Sequence, residues 1–171
     1  MSLIESFDPV IGESPRVLIL GSMPGIISLD RQQYYAHPRN QFWAIMSELL
    51  GISWHDDYPA RIRQLKKQPL ILWDVLRTCQ REGSLDSAIA AKDLRANDIG
   101  GLLKRYQSIS LIAFNGAASE KYFRRLLCKQ LDTPERLRLI RLPSTSPANA
   151  GKNFEQKLME WRVIQRYLSP L

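Results

Sequence analysis

The sequence RVLILGSMPG, residues 16–25, decides the fold. Its first half is an uninterrupted apolar run from Val17 to Leu20, and its second half is a loop of glycine, serine, methionine and proline. A short continuous apolar run is typical of a strand that is buried on both faces of a sheet. Glycine at the end of that strand has no Cβ atom, so the backbone there can approach a ligand closely. The stretch predicts a buried strand whose carboxyl end carries a binding loop.

Three further segments have the length and composition of strands. Residues 70–73 and 111–114 are apolar throughout and predict buried strands, whereas residues 137–142 alternate apolar and basic side chains, which favours an edge or half-exposed strand. Apolar residues at helical spacing separate the strands, in four patterns that begin after Asn40, after Asn97 or Asp98, after Gly116 and near Asn153. Asn40 is the predicted cap of the first of these helices, and Gly51 is its predicted end.

Strands that alternate with helices predict an α/β fold, with a mainly parallel sheet covered on both faces, and we expect residues 1–171 to form a single domain. Ligands of such sheets bind at the carboxyl ends of the strands. Four segments lie there: residues 21–25, 74–78, 115–116 and 143–149. The polar segment 80–98 predicts a loop with a helical turn, and its sequence assigns it no role.

The charge balance is basic, with 24 lysines and arginines against 17 acidic residues and a formal charge of +7. Such a balance favours a polyanionic partner, because neutralising phosphates releases counterions. A basic enzyme without a nucleic-acid partner has the same composition. No basic tail is present, so any contact with nucleic acid would have to come from a folded face.

The remaining composition predicts neither a metal nor a cofactor. Cys79, Cys128, His37 and His55 do not have the spacing of a zinc site. The N-terminal residues lack the pattern of a secretory signal, and no apolar run approaches the ~20 residues that span a bilayer. We therefore expect a soluble, cytoplasmic protein with no membrane partner.

The loops at the strand ends carry polar but largely uncharged side chains, with Asp74 as the prominent acid. No Ser/His/Asp order or paired-carboxylate motif is present, and the glycine loop lacks the Lys-Ser/Thr pair of a phosphate loop. An amide-rich set suits hydrolysis of an N-glycosidic bond, because amide donors can stabilise the departing base and an amide oxygen can orient water. A base in duplex DNA must first be flipped out, and an aromatic side chain can then stack on it.

Three segments together resemble one family: GSMPG at residues 21–25, QYYAHPRNQFW at residues 33–43 and LPSTSPAN at residues 142–149. Their sequence and order resemble the uracil-DNA glycosylase superfamily, most closely its hypoxanthine-DNA (deoxyinosine) glycosylase branch. The resemblance implies a three-layer α/β/α sandwich with a central, four-stranded parallel sheet. It also implies a metal-free, monofunctional DNA repair glycosylase that acts as a monomer on DNA containing a deaminated base.

The resemblance also implies roles for individual residues. Asn40 matches the catalytic asparagine of the branch, and Tyr35 matches the aromatic residue that stacks on the flipped base. Asp74 lies where relatives keep a base-reading side chain, and Asn115 is a further candidate for the base pocket. The first motif supplies the other base contacts: Gly21, Ser22, Met23, Pro24 and Gly25.

The third segment and its neighbours imply contacts to the DNA backbone, made by Ser144, Thr145, Ser146, Arg39 and Lys152. Two residues depart from the superfamily pattern. Many members have a polar, water-activating residue where this chain has Met23, and uracil-specific members have a histidine where it has Leu142. Both departures weaken a uracil-specific interpretation and favour a purine substrate.

Several alternatives stay open at this point. The enzyme could be specific for uracil or mismatches, it could hydrolyse small nucleosides, or the chain could be a non-catalytic nucleic-acid-binding relative. Asn40 could be only a helix cap. Asp74 could accept the N1–H of hypoxanthine, or it could donate a proton if burial raises its pKa.

Overall fold

The central strand of the fold is the apolar run of the first motif, Val17–Gly21, in which every residue is buried. Leu70–Asp74 pairs with it in parallel on one side, and Leu111–Asn115 does so on the other. Arg138–Leu142 continues the sheet beyond Leu111–Asn115, also in parallel. These are the four strands that the sequence predicts. The computed structural model describes residues 3–53, 55, 57–131 and 135–169.

We number the elements in chain order. The strands are β1 Leu3–Glu5, β2 Val10–Ile11, β3 Val17–Gly21, β4 Leu70–Asp74, β5 Leu76–Gln80, β6 Arg95–Ala96, β7 Leu111–Asn115 and β8 Arg138–Leu142. The helices are α1 Ile26–Arg31, α2 Phe42–Leu50, α3 Tyr58–Lys66, α4 Ile99–Arg105, α5 Ala117–Leu126, α6 Phe154–Trp161 and α7 Gln165–Leu168. Two short 3₁₀ turns span Asp86–Ala88 and Arg162–Ile164.

The predicted α/β/α fold with a mainly parallel sheet is confirmed, and the structure adds short strands to it. The two-residue strand β2 pairs antiparallel to the outer edge of β4, so the main sheet has the order β2-β4-β3-β7-β8. A second, three-stranded antiparallel sheet has the order β1-β5-β6. The added strands β2 and β6 have only two residues each, which is too short for a periodic sequence signal.

The alternation of side chains along β3 divides the core into two clusters. Val17 and Ile19 belong to a cluster that includes the apolar faces of α2 and α6. Leu18 and Leu20 belong to a second cluster, which includes residues of α4 and α5. Because successive side chains of a strand point to opposite faces, helices cover both faces of the sheet.

The strand order creates a crevice at the carboxyl end of β3. The chain passes from β3 to β4 on one side of it and later returns to β7 on the other side. Where the strand order reverses in this way, the loops that leave neighbouring strands diverge, and ligands bind between them. Gly21 is paired with Asp74 in this register, and Asn115 ends the adjacent strand.

The predicted helices are present, and the N-cap of α2 lies one residue further along the chain than predicted. The N-cap residue of α2 is Gln41, although the Asn40 side chain still accepts a hydrogen bond from the first helical amide. Gly51 ends α2 in the left-handed conformation that the sequence predicts. Asp98 caps α4, and Asn153 forms a capping box at the start of α6. Within the described residues, no helix has the length and apolar content to cross a bilayer.

Candidate active site

A cavity of about 610 Å³ lies at the carboxyl ends of the central strands. Its volume is within the range of small-molecule sites in proteins. Its walls are the first-motif loop, the segment that precedes α2, the 3₁₀ turn and the loop that follows β8. Of the residues to which the sequence assigns a role, all but one line this cavity: Gly21, Ser22, Met23, Pro24, Gly25, Tyr35, Arg39, Asn40, Asp74, Asn115, Ser144, Thr145 and Ser146.

The deepest part of the cavity depends on the absence of a side chain at Gly21. A Cβ atom at this position would lie 2.4 Å from Asp74 Oδ1 and 3.1 Å from the Tyr35 hydroxyl oxygen. Glycine therefore lets a carboxyl group and a phenol hydroxyl converge beside the backbone of β3. The parallel pairing of β3 and β4 fixes this arrangement, because Gly21 and Asp74 are register partners.

Asp74 is a buried carboxyl group with one free oxygen. The residue is 3% exposed, and its Oδ2 atom has no hydrogen-bond partner within the described part of the chain. The pKa of Asp74 is raised to about 7, chiefly by burial and also by the charge on Asp86, with Arg81 opposing both effects. Near neutral pH the group is therefore divided between a form that donates a hydrogen bond and a form that only accepts one.

Hydrogen bonds from neighbouring elements hold the backbone on which Asp74 is mounted. The buried side chain of Asn97 donates from Nδ2 to the carbonyl oxygens of Asp74, at 2.9 Å, and of Leu76, at 3.2 Å. From α5, the Ser119 hydroxyl donates to the carbonyl oxygen of Leu20 at 2.6 Å. These bonds fix the ends of β3 and β4, so the carboxyl group is held by rigid strands rather than by a loop.

Tyr35 adopts a strained backbone conformation, with φ at +54°. Left-handed φ values cost a non-glycine residue of order 1 kcal/mol or more and persist only where the surroundings enforce them. The adjacent backbone is anchored on both sides, because Tyr34 N donates to the Tyr58 hydroxyl and Ala36 N donates to Ser28 Oγ. The ring of Tyr35 stacks on Phe42 with centroids 4.1 Å apart, and it lines the cavity.

The hydroxyl group of Tyr35 is buried without a hydrogen-bond partner within the described residues. Burial raises the pKa of this phenol, as does the charge of Asp74, so the hydroxyl stays protonated. The two unpartnered groups, Asp74 Oδ2 and Tyr35 Oη, belong to side chains that line the same cavity. A buried unpartnered polar group costs about 1–3 kcal/mol, so the pair favours a ligand with complementary polar atoms.

Asn40 lines the same cavity as Tyr35. Its Oδ1 atom accepts a hydrogen bond from Phe42 N at 3.0 Å, which fixes the carboxamide relative to α2. A carboxamide oxygen has two lone pairs, so it can also accept a hydrogen bond from a water molecule in the cavity. The cap and the proposed catalytic role are therefore compatible. His37 is also tied locally, since its Nδ1 atom accepts from Arg39 N.

The loop after β8 combines accessible hydroxyls with one buried residue. Ser144 and Ser146 each accept a backbone hydrogen bond from two residues ahead, which leaves the O–H hydrogens free to donate to a phosphate. Thr145 corrects the sequence prediction. It is 0% exposed, and its hydroxyl accepts a hydrogen bond from Asn115 Nδ2, so its side chain supports the loop instead of contacting a DNA backbone.

The remaining predicted residues, Asn115, Arg39 and Lys152, differ in their position relative to the cavity. The Asn115 carboxamide is committed to Thr145 through both of its polar atoms, because Oδ1 accepts from Thr145 N at 2.9 Å and Nδ2 donates to the hydroxyl. The Asn115 side chain also lies close enough to the Tyr35 hydroxyl to oppose the rise in the pKa of that phenol. Arg39 is exposed at the rim. Lys152 does not line the cavity and forms an ion pair with Glu160.

The segment with no assigned role contributes the residues that sequence reasoning missed. Asp86 lines the cavity and accepts a hydrogen bond from Ser22 Oγ at 2.7 Å. Ser84 accepts one from Ile26 N at 2.9 Å, and the buried Arg81 guanidinium donates to the carbonyl oxygen of Pro24. These contacts join residues about 60 positions apart in a segment without periodicity, so no local sequence signal could have found them.

Comparisons with known proteins assign this fold and cavity to one family. The family model described as the uracil DNA glycosylase superfamily matches residues 9–166. The chain is 35% identical over 164 residues to a hypoxanthine DNA glycosylase of Methanosarcina acetivorans, a match that covers 94% of this chain and 97% of the relative. It is 38% identical over 119 residues to a hypoxanthine DNA glycosylase of Methanosarcina barkeri, covering 69% of this chain and 74% of the relative.

A solved structure agrees with the same assignment. The solution NMR structure of a protein from Methanosarcina acetivorans superimposes with a TM-score of 0.79 at 32% sequence identity, covering 98% of this chain and 99% of the other. The chain belongs to the uracil DNA glycosylase superfamily.

The burial of Asp74 predicts a pH-dependent stability. The pKa of this group is about 7 in the folded protein against 3.8 for an unperturbed carboxyl. Between these values the folded chain holds the proton and the unfolded chain loses it, so wild-type stability falls as pH rises from about 4 to about 7. Because asparagine does not titrate, Asp74→Asn should gain stability relative to wild type over this interval, by up to about 4 kcal/mol.

Urea unfolding at pH 4 and at pH 8 measures this difference. Asp98→Asn is the matched control, because Asp98 is exposed and asparagine caps a helix as well as aspartate does. If the stability difference between Asp74→Asn and wild type is the same at both pH values, the raised pKa of Asp74 in the folded protein is contradicted.

Proposed function

We propose that this protein is a monofunctional DNA glycosylase that hydrolyses the N-glycosidic bond of deaminated bases, hypoxanthine first, and leaves an abasic site. The observation that carries the proposal is the convergence of Asn40, Tyr35 and Asp74 on one cavity at the carboxyl ends of the central strands. The names of the two Methanosarcina relatives support the choice of base.

The cavity offers the three functions that this reaction requires. An extruded base can lie against the Tyr35 ring, whose other neighbour, Phe42, holds it in place. Asp74 and the Tyr35 hydroxyl can form hydrogen bonds with the polar edge of the base. Asn40 Oδ1 can orient a water molecule for addition to C1′ as the bond to the base breaks.

The two departures from the superfamily pattern support a purine substrate. Met23 is buried and packs in the core cluster that includes Leu20, so it cannot activate water. Leu142 is buried in the opposite cluster and offers no electrophile to a pyrimidine carbonyl. Without these groups the reaction depends on hydrogen bonds that stabilise the departing base. A purine base has additional ring nitrogens to accept them.

DNA binding is supported by the surface around the cavity. The formal charge of +7 favours a polyanion, and the exposed Arg39 lies at the cavity rim. Ser144 and Ser146 line the same cavity, with hydroxyl hydrogens that can donate to phosphate oxygens. Lys152 must exchange Glu160 for a phosphate, so we expect it to contribute less. We further propose that the protein acts as a monomer, in the cytoplasm where its DNA substrate lies.

The direct test is base release from duplexes that contain a single inosine, uracil, xanthine or mismatched thymine, followed by alkali to cleave abasic sites. Inosine DNA should be cut after alkali and stay intact without it. Processing of uracil DNA alone would move the substrate to uracil. Turnover of free inosine without duplex dependence would indicate a nucleoside hydrolase, and salt-sensitive binding without base release would indicate a non-catalytic relative.

Asn40 provides the first mutational prediction. Asn40→Ala should lower the single-turnover rate on inosine DNA by about 10²–10³, the effect of removing one well-placed polar group from an active site. Asn40→Asp is the matched control, because it keeps an accepting oxygen for Phe42 N and for water, and it should retain more activity than the alanine variant. Wild-type turnover by Asn40→Ala would remove Asn40 from the mechanism.

Gly21 provides the second mutational prediction. In Gly21→Ala the new Cβ atom must displace the Asp74 carboxyl, because it would otherwise lie 2.4 Å from Oδ1. Loss of the hydrogen bond between Asp74 and the base should reduce kcat/KM about tenfold to a hundredfold. Gly100→Ala is the control, since its Cβ would lie 2.8 Å from the end of the flexible Leu131 side chain, which can move, and 3.9 Å from Asp98 Oδ1. Unchanged kcat/KM in Gly21→Ala, with the fold verified by circular dichroism, would contradict a base-binding role for Asp74.

A further inference from the structure

Asp86 lies in the 3₁₀ turn Asp86–Ala88. This turn is part of the segment 80–98, to which neither the motifs nor the proposed mechanism assigns a role. Asp86 nevertheless lines the active-site cavity together with Asp74. Two carboxyl groups therefore line one cavity, and the charge of Asp86 raises the pKa of Asp74. A negative charge on Asp86 therefore disfavours a second negative charge on Asp74, because like charges repel.

The surroundings of the two carboxyl groups differ. Burial raises the pKa of Asp86, and the hydrogen bond that its Oδ1 atom receives from Ser22 Oγ at 2.7 Å opposes this by stabilising the ionised form. Asp74 Oδ2 is buried and receives no hydrogen bond from the described residues. The hydrogen bond from Ser22 therefore favours the negative charge on Asp86, and burial without a hydrogen-bond donor on Oδ2 favours the proton on Asp74.

The other titratable groups around the pair do not reverse this order. Arg81 is 4% exposed and lowers the pKa of both carboxyl groups. Tyr34 and Tyr35 face Asp74 as neutral phenols, because burial raises the pKa of each. Cys79 and Tyr122 face Asp86, and burial likewise raises the pKa of both, which keeps them neutral.

We propose that Asp86 is a positioning residue whose carboxylate, held by Ser22, keeps Asp74 protonated so that Asp74 acts as a hydrogen-bond donor to the base. This inference rests on the proposed glycosylase function and deepens it. It decides between the two roles that the sequence leaves open for Asp74, in favour of the donor. The segment that holds Asp86 is thereby part of the active site, joined to the first-motif loop by the Ser22 hydrogen bond.

The C1′–N9 bond breaks, and its electron pair leaves with the base. The Asp74 proton moves to an acceptor atom of the base, which departs as a neutral molecule. Water adds to C1′ through its oxygen and releases one proton, and the Asp74 carboxylate takes up a proton from solvent before the next cycle. Protonating the leaving group in this way is general acid catalysis, and a pKa near 7 suits a carboxyl group to it.

The test is the pH dependence of single-turnover base release from inosine DNA by wild type and by Asp86→Asn. Activity that requires protonated Asp74 falls as pH rises through the pKa of that group. Removing the Asp86 charge should move this fall to lower pH by about one pH unit. The rate of Asp86→Asn should then approach the wild-type rate near pH 5 and be about tenfold lower above pH 8. Ser87→Ala, an exposed position in the same turn, is the matched control.

A measurement that does not depend on activity tests the role of Asp86 separately from the proposed glycosylase function. Titration of the Asp74 carboxyl carbon by ¹³C NMR, in the protein without DNA, should show a lower pKa in Asp86→Asn than in wild type. If Asp86→Asn does not fold, Asp86→Ser removes the same charge and should give the same shift. A rate reduced by one factor at every pH, or an unchanged Asp74 titration, would overturn the role of Asp86. Absence of base release by the wild type would overturn the proposed function instead.

Discussion

The structure depends on the parallel pairing of Gly21 with Asp74. This pairing places the end of β4 beside a residue without a side chain, and the space left at Gly21 is filled by the Asp74 carboxyl and approached by the Tyr35 hydroxyl. A larger residue at position 21 would push these groups apart. The polar floor of the cavity is thus a consequence of strand register and of one missing Cβ atom, and the surrounding loops supply the walls.

This arrangement has a cost in stability. Among the described residues, a carboxyl oxygen of Asp74 and the hydroxyl of Tyr35 are buried without hydrogen-bond partners, and Tyr35 is held at a positive φ angle. Packing on both faces of the sheet, hydrogen bonds from Asn97 and Ser119, and the stacking of Tyr35 on Phe42 offset that cost. Sites that bind polar ligands commonly trade stability for function in this way. The groups left unpartnered by the fold are the ones that an extruded base can satisfy.

Much of the architecture could be predicted from sequence. The four parallel strands have continuous or alternating apolar patterns, and the helices have apolar residues at helical spacing, so local chemistry specifies both. Asp74 is expected at the cavity because it ends a strand, whereas the roles of Asn40 and Tyr35 follow from the resemblance of residues 33–43 to the superfamily. The α/β/α fold was therefore accessible before any coordinates were known.

The errors and omissions have a common physical cause. Thr145 has the sequence context of a phosphate contact, yet its hydroxyl is buried against Asn115, thirty residues away along the chain. Asp86 lies in a polar segment without periodicity, and only its hydrogen bond to Ser22, across 64 positions, brings it to the cavity. Periodicity reports which face of an element is buried. It does not report which loop residues of distant segments meet, and this site is formed by such residues.

The most direct measurement is a crystal structure of the protein bound to duplex DNA that contains 2′-fluoro-deoxyinosine, whose fluorine slows breakage of the glycosidic bond. The account predicts an extruded hypoxanthine ring against Tyr35, with a polar atom of the base within hydrogen-bond distance of Asp74 and with Asn40 Oδ1 on the C1′ side of the sugar. A base that remains stacked in the duplex, or one bound outside this cavity with Asn40 far from the sugar, would contradict the account.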